Sequence, residues 1–365
     1  MKITIVAGAR PNFMKIAPII HAIKKKRQGG FDINYRLVHT GQHYDKNLSD
    51  TFFEELGIPS PDINLNVQSG SQAEQTGAIM VGFEDDLKKN PTDLILVVGD
   101  VTSTVACTIV AKKALVKVTH VEAGIRSGDL KMPEEINRMV TDSITDYFFT
   151  TSKLATENLL AIGKQQKHIF FVGNVMIDTL IKNLPNLKKP SVWEELNLKE
   201  KNYYVLTLHR PSNVDSLDSF SELLKLIVKK SKGIPIVFPV HPRTQKILKK
   251  ADLIFENLHY IPPQGYLSFI YLVKNSKAVF TDSGGITEEA SVLNIPCITF
   301  RDTTERPETC ELGTNMLVGN DLEKINSAFN LLDSDSWKKG QSIPKWDGNA
   351  AIRIIDHILK LYGKG

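Results

Sequence analysis

The chain has 365 residues, with 45 Lys and Arg against 41 Asp and Glu, a formal net charge of +4 at pH 7. Apolar residues make up 42% and charged residues 24%, ordinary globular usage that excludes a disordered or fibrous chain and makes no electrostatic case for nucleic-acid binding. The three cysteines, Cys107, Cys297 and Cys310, lie far apart and form no CxxC pair, which favours a reducing compartment over a disulfide framework or a zinc site.

At roughly 100–200 residues per domain, the length predicts two domains. The first residues, Met1 to Gly8, predict a strand with too short an apolar run for a signal peptide. No apolar stretch approaches the ~18 residues of a membrane span, so a cytoplasmic protein is expected. Short apolar runs predict buried strands over 3–6, 35–38, 94–98, 116–121, 147–151 and 169–172. Helical patterns fill the gaps, as over 12–26, 72–89 and 134–146. Residues 184–202 break the pattern with Lys, Pro, Asn and Glu and predict an interdomain linker. The alternation resumes over 203–208, 234–240, 258–261, 278–281 and 297–300, and 349–361 predicts an amphipathic helix with Ile352, Ile355, Ile358 and Leu361 on one face. The expected fold class is α/β, with two doubly wound parallel sheets and a ligand cleft at the carboxyl ends of their strands.

Polar groups fall where that class predicts them. Gly8-Ala9-Arg10 follows the first strand, His39 to His43 the second, Gly99-Asp100 the strand over 94–98, and Glu122-Ala123-Gly124 the strand over 116–121. In the second half, His209-Arg210, His241 and Asp282-Ser283-Gly284-Gly285 follow strands in the same way. Seven such placements are difficult to explain by packing alone.

Two glycines after Ser283, at a strand-to-helix turn, let a phosphate approach the backbone N–H groups, and Glu289 lies a turn further on, where a carboxylate suits ribose hydroxyls. Taken alone, the same turn reads equally as an N-cap serine before a tight bend. There is no GxxxxGK[ST], and no GxGxxG after the first strand, so neither a P-loop NTPase nor a simple NAD-binding Rossmann protein fits. Arg10, Lys15 and Arg306 suit diphosphate oxygens, although any one of them alone reads as a surface salt bridge. Asp100, Glu122, Glu134 and Glu135 cluster near two adjacent strand ends. With His209, they suit general acid–base work on a substrate with a phosphate leaving group. Glu134 alone also fits a first-turn helix carboxylate. The histidines show no metal-ligand spacing, so no metal is expected.

These segments, together with Gly8 to Lys15, Thr40 to His43, His120 to Arg126, Pro133 to Arg138, Gly173 to Asp178, Pro239 to His241 and Arg301 to Glu308, resemble the non-hydrolysing UDP-N-acetylglucosamine 2-epimerases over nearly the whole chain. The resemblance implies a GT-B architecture of two Rossmann-like domains, over 1–183 and 203–346, with a helix over 347–365 returning to the first. It implies a homodimer that interconverts UDP-GlcNAc and UDP-ManNAc without a cofactor, by anti elimination to 2-acetamidoglucal and re-addition of UDP. It places Asp100, Glu122, Glu134 and His209 in catalysis. Ser283, Gly284, Gly285 and Glu289 would hold diphosphate and ribose, Gln264 and Phe269 would contact uracil, and Arg10, Lys15 and Arg306 would neutralise charge. Gln42, His43, Arg210 and His241 would line part of a second, regulatory UDP-GlcNAc site. Residues 209–213 depart from the family, reading His-Arg-Pro-Ser-Asn where many members have His-Arg-Arg-Glu-Asn. Residues 65–70 read Leu-Asn-Val-Gln-Ser-Gly, where many members carry a basic residue. A diacetamido uronic acid nucleotide as substrate, a hydrolysing epimerase, a GT-B glycosyltransferase and a non-catalytic sugar-nucleotide sensor are the alternatives.

Overall fold

A computed structural model describes residues 1–41, 53–240, 244, 245, 248 and 253–363. Among them, thirteen strands and fourteen α-helices position the candidate residues. The strands are β1 (Lys2–Ala7), β2 (Asn34–His39), β3 (Ile63–Asn64), β4 (Leu94–Val98), β5 (Lys117–Val121), β6 (Tyr147–Thr150), β7 (Ile169–Phe171), β8 (Tyr204–Thr207), β9 (Ile236–Pro239), β10 (Leu258–Ile261), β11 (Ala278–Thr281), β12 (Cys297–Thr299) and β13 (Asn315–Leu317). The helices are α1 (Arg10–Gln28), α2 (Gln72–Lys89), α3 (Thr102–Lys113), α4 (Pro133–Ile144), α5 (Lys153–Ala161), α6 (Val175–Asn183), α7 (Val192–Glu195), α8 (Pro211–Val214), α9 (Leu217–Lys230), α10 (Tyr266–Asn275), α11 (Gly284–Val292), α12 (Pro307–Glu311), α13 (Leu322–Asp333) and α14 (Ala350–Tyr362).

The chain divides into two compact units, Met1–Lys182 with Pro344–Gly365, and Asn183–Ile343. In the first, seven parallel strands run in the order β3-β2-β1-β4-β5-β6-β7. In the second, six parallel strands run β10-β9-β8-β11-β12-β13. Both orders reverse direction at a central pair, β1 and β4 in one unit and β8 and β11 in the other, the switch point beside which Rossmann-like sheets bind ligands. The expected α/β class holds in each unit, and the pair has the domain composition of a GT-B architecture.

The apolar runs are continuous because helices cover both faces of each sheet. All five residues of β4 are buried, as are all four of β8 and of β11. Local signals set the helix starts. Before α2, Ser71 Oγ accepts from the Glu74 N–H at 3.2 Å, and Glu74 Oε2 accepts from the Ser71 N–H at 2.9 Å, a reciprocal cap. Residues 184–202 lie in the second unit, where Val192, Trp193 and Leu198 pack into one core with Tyr203 and Val205. Among the described residues no helix is long and apolar enough to cross a membrane.

Helix α14 folds with the first unit. Asp178, on α6, accepts from the backbone N–H groups of Ala350 at 3.1 Å and Ala351 at 2.7 Å, capping α14 from another helix. Trp346 Nε1–H donates to Thr151 O at 3.2 Å. The buried stripe of α14 is Ile354, Ile355 and Ile358, not the strict three-residue spacing expected from the sequence. A turn of 3.6 residues rotates such a spacing off the face, and Leu361 is exposed.

Candidate active site

Two sets of candidate residues form, each at the switch point of its own sheet. In the first unit, the loop after β1 is tied to the end of β4 by Asn12. Its Oδ1 accepts from the N–H groups of Gly8 at 3.0 Å and Ala9 at 3.1 Å, and its Nδ2 donates to Val98 O at 3.3 Å. These two amides at the start of α1 are therefore engaged internally, unlike the phosphate-binding turn of a dinucleotide fold. Arg10 opens α1, but its side chain lies outside the described residues.

Lys15, one helical turn along, forms an ion pair with Glu122, and the two side chains are only 12% and 6% exposed. Glu122 directly follows β5 in a left-handed backbone conformation, φ +76°. A non-glycine residue adopts this at a cost of about 1–2 kcal/mol, so its surroundings must hold it there. The Glu122 N–H donates to Phe149 O at 3.0 Å. Gly99 faces the pair. A Cβ at Gly99 would lie 2.8 Å from Lys15 Nζ and 3.4 Å from Glu122 Oε2, and its own φ is +67°.

Beneath this pair, His120 is fully buried between two partners. Its Nδ1 is 2.8 Å from Asp142 Oδ1, and its Nε2 donates to Gly99 O at 2.8 Å. Asp142 Oδ2 also takes Arg126 Nη1 at 2.7 Å and the Gly124 N–H at 3.1 Å. Burial pushes the Asp142 carboxyl up, but His120 and Arg126 outweigh it and hold it below the usual range. Asp100 is clamped by Arg138, whose Nε and Nη2 donate to its Oδ2 at 3.0 and 2.5 Å.

The two neighbouring glutamates of α4 separate in role. Glu135 is buried, pairs with Arg138 at 2.6 Å and accepts from the N–H groups of Ser127 and Gly128. Burial raises its carboxyl, and these donors more than reverse the effect. Glu134 sits half-buried in the first turn of α4. Glu135 thus anchors the loop over 127–128.

In the second unit, Asp282 is fully buried at the end of β11 and collects donors from the loop after β8. It accepts from the N–H groups of His209 at 3.0 Å and Arg210 at 2.9 Å, and from Asn213 Nδ2 at 3.1 Å. His209 Nδ1 is 2.9 Å from Asp282 Oδ1, and the imidazole is 41% exposed. Burial pushes the Asp282 carboxyl up, but His209 and the amide donors hold it below its ordinary value. With Nδ1 directed at Asp282, the orientation of the imidazole is fixed.

Ser283, Gly284 and Gly285 lead into α11 and are half-exposed, and the Ser283 side chain makes no capping bond. Glu289, two turns behind Ser283, is buried and accepts from Tyr266 Oη at 3.0 Å; burial and neighbouring Glu288 push its carboxyl up to about 8. Arg306 is 1% exposed and ion-paired to Glu288. Arg301 Nη2 donates to Glu305 Oε2 at 2.6 Å. Gln264 donates to Pro262 O at 2.9 Å, and Phe269 lies half-buried against the Trp193 core.

The structure therefore brings together Glu122 and Lys15 beside Gly99 in the first unit, with Asp100 the next residue and held by Arg138, and it joins His209 in the second unit to Asp282, which precedes the Ser283–Gly285 turn. Gln42, His43 and His241 lie outside the described residues, and of that regulatory group only Arg210 is placed, its N–H on Asp282. Sequence reasoning missed Asn12, His120, Asp142, Arg138 and Asp282 as supports. Asp282 was the one with a signal, an acid at the end of an apolar strand.

A family model described as UDP-N-acetylglucosamine 2-epimerase matches residues 24–359. The chain is 40% identical, over the full length of both proteins, to a UDP-N-acetylglucosamine 2-epimerase of Methanocaldococcus jannaschii. It is 36% identical to a UDP-2,3-diacetamido-2,3-dideoxy-D-glucuronate 2-epimerase of Pseudomonas aeruginosa, covering 99% of this chain and 100% of the relative. Its structure matches that of the Methanocaldococcus jannaschii UDP-GlcNAc 2-epimerase in complex with UDP-GlcNAc and UDP with a TM-score of 0.89, at 39% identity, covering 99% and 100% of the two chains.

Proposed function

Because the chain belongs to the UDP-N-acetylglucosamine 2-epimerase family, we propose that it interconverts UDP-GlcNAc and UDP-ManNAc. The observation that carries this reading is Glu122, held in a strained backbone beside Lys15 and Gly99, with Asp100 fixed nearby by Arg138.

A carboxylate of this group takes the C2 proton. The C2–H electrons form the C1–C2 double bond as the C1–O bond breaks, and UDP leaves with that bonding pair. The product is 2-acetamidoglucal. A second acid, on the opposite face, returns a proton to C2, and the diphosphate oxygen attacks C1. Asp100, Glu122 and Glu134 supply the acid–base groups. His209, oriented by Asp282, the Ser283 hydroxyl and the Gly284 and Gly285 amides stabilise the departing diphosphate, the Ser283 amide being held by Thr281 Oγ1 at 3.0 Å. Glu289, whose carboxyl burial pushes up to about 8, suits ribose hydroxyls. Gln264 and Phe269 border the uracil, and Arg10, Lys15 and Arg306 offset charge. The route balances without an external oxidant or reductant and needs no cofactor.

Incubation with UDP-GlcNAc in deuterated water should place deuterium at C2 of both sugars. Epimerisation with no exchange at C2 would sink the elimination route. Appearance of UDP-ManNAc with no acceptor present removes the glycosyltransferase reading, and release of free ManNAc would point to a hydrolysing enzyme. Turnover of any UDP-sugar removes the sensor reading. The Pseudomonas aeruginosa relative favours one second substrate, a UDP-diacetamido uronic acid, and a panel of UDP-sugars followed by NMR separates the two.

We further place the enzyme in the cytoplasm as a homodimer. Ile136 and Met139, each 44% exposed on α4, give an apolar pair of the kind subunit contacts cover. Light scattering at micromolar concentration measures the mass, and a monomer would reject this assembly.

A further inference from the structure

Gly284 and Gly285 open α11, and a carboxylate occupies the space beside the first of them. Glu305 Oε1 lies 2.8 Å from the point that a Cβ at Gly284 would take, and Arg301 Nη1 lies 3.6 Å from it. Arg301 Nη2 donates to Glu305 Oε2 at 2.6 Å, and the two side chains are only 6% and 11% exposed. Both residues come from the single segment between β12 and α12, so one loop delivers an anion and its counter-ion to the start of α11. A helix N-terminus attracts a carboxylate and a phosphate for the same reason: its unpaired N–H groups and its dipole favour negative charge. Two anions held together in a largely desolvated place repel strongly.

The geometry points to Glu305 as an internal competitor of the diphosphate. Its carboxylate and the diphosphate of a UDP-sugar take turns on the open side of Gly284, with Arg301 as the partner they share. This rests on the placement of the diphosphate at Ser283, Gly284 and Gly285 argued above, and deepens it. When the diphosphate enters, Glu305 swings away and Arg301 exchanges one anion for another, so its positive charge is never left unpaired. Arg301 thereby joins the substrate-binding residues. The nucleotide binds more weakly than the turn alone would allow, because part of its interaction energy goes to removing Glu305.

The test titrates UDP into the whole protein by calorimetry, for wild type and four variants. Glu305→Gln removes the competing charge. Glu305→Asp keeps the charge on a side chain too short to reach Gly284. Both should lower the Kd for UDP about five- to tenfold, the scale of one partly buried carboxylate–guanidinium contact. Glu311→Gln, an exposed charge on α12, should leave the Kd unchanged. Arg301→Gln should raise it about tenfold.

A Glu305→Gln Kd at or above the wild-type value overturns the proposal. So does tighter binding by Glu305→Gln with Glu305→Asp at the wild-type value, which would reveal a general charge effect instead of occupancy. An unchanged Arg301→Gln Kd overturns the shared partner. Conversion of UDP-GlcNAc by the same wild-type preparation separates the two readings. Conversion with unaltered Glu305→Gln binding overturns only the competitor. Tighter Glu305→Gln binding without conversion of any UDP-sugar overturns the epimerase reading and supports the competitor.

Discussion

Gly99 and Glu122 share one small space at the carboxyl end of the first sheet: a Cβ on Gly99 would stand 3.4 Å from Glu122 Oε2 and 2.8 Å from Lys15 Nζ. The ion pair of Lys15 and Glu122 exists in this form because residue 99 has no side chain. Gly99→Ala should therefore push Lys15 off Glu122 while adding the cost of an alanine at φ +67°. We expect kcat to fall about 10- to 100-fold, as for a misplacement of reacting groups by about 1 Å. Equal kcat in the two proteins would show that the contact has no part in turnover.

Glu122→Gln removes the charge and keeps the shape. It should retain UDP binding and lose conversion by about 10²- to 10⁴-fold, the contribution of a positioned acid–base group. The same variant should lose deuterium incorporation at C2 in parallel. If exchange persisted while epimerisation stopped, Glu122 would be the group that acts on the second face and not the one that first removes the proton.

Asp282 orients His209 and gathers three further donors. Asp282→Asn places an amide N–H₂ among donors and should lower kcat about 100-fold, as expected when a residue supporting a catalytic imidazole is altered. Because the folded protein holds this carboxyl below its ordinary value, it contributes stability above pH ~4 that is lost as pH falls through the folded value. The variant should be less stable than wild type at pH 7, and the gap should close toward pH 2 in chemical denaturation. A gap that does not narrow would mean that the carboxylate charge is not what stabilises the loop.

Asp178 shows the opposite sign. Burial, followed by the opposing amides of Ala351 and Ala350, sets its carboxyl at about 6, against ~3.9 in the unfolded chain. Ionisation is thus disfavoured in the folded state. Stability should fall as pH rises from about 4 to 6, by on the order of 2–3 kcal/mol from this group. Asp178→Asn should flatten that part of the profile, and an unaltered slope would assign it to other groups.

The sheets and the ends of their strands were legible because parallel strands buried on both faces leave continuous apolar runs, and ligand-facing residues must follow them. The supports were not. His209 and Asp282 are 73 residues apart, and Asn12 reaches Val98 across 86 residues, so no local spacing announces either contact. Glu134 and Glu135 are chemically identical neighbours; only the helical turn, which directs one toward Ser127 and Arg138, tells them apart. Strand β13, three residues with Asn315 at its start, carries too little apolar pattern to be seen alone. The stripe on α14 was misjudged because three-residue spacing only approximates a helical face.

The capping of α14 by Asp178 has a consequence for biosynthesis. The segment over 344–362 completes the first unit, yet the ribosome makes it after all of Asn183–Ile343. At about 5–20 residues per second, the earlier part of the first unit waits on the order of ten seconds or more for its last helix. During that interval the surface of α1 that α14 covers, and the carboxylate of Asp178, face water or a chaperone. The second unit, continuous in sequence, folds in the meantime. A released chain that ends at residue 343 should therefore carry a protease-resistant second unit beside a protease-sensitive first one.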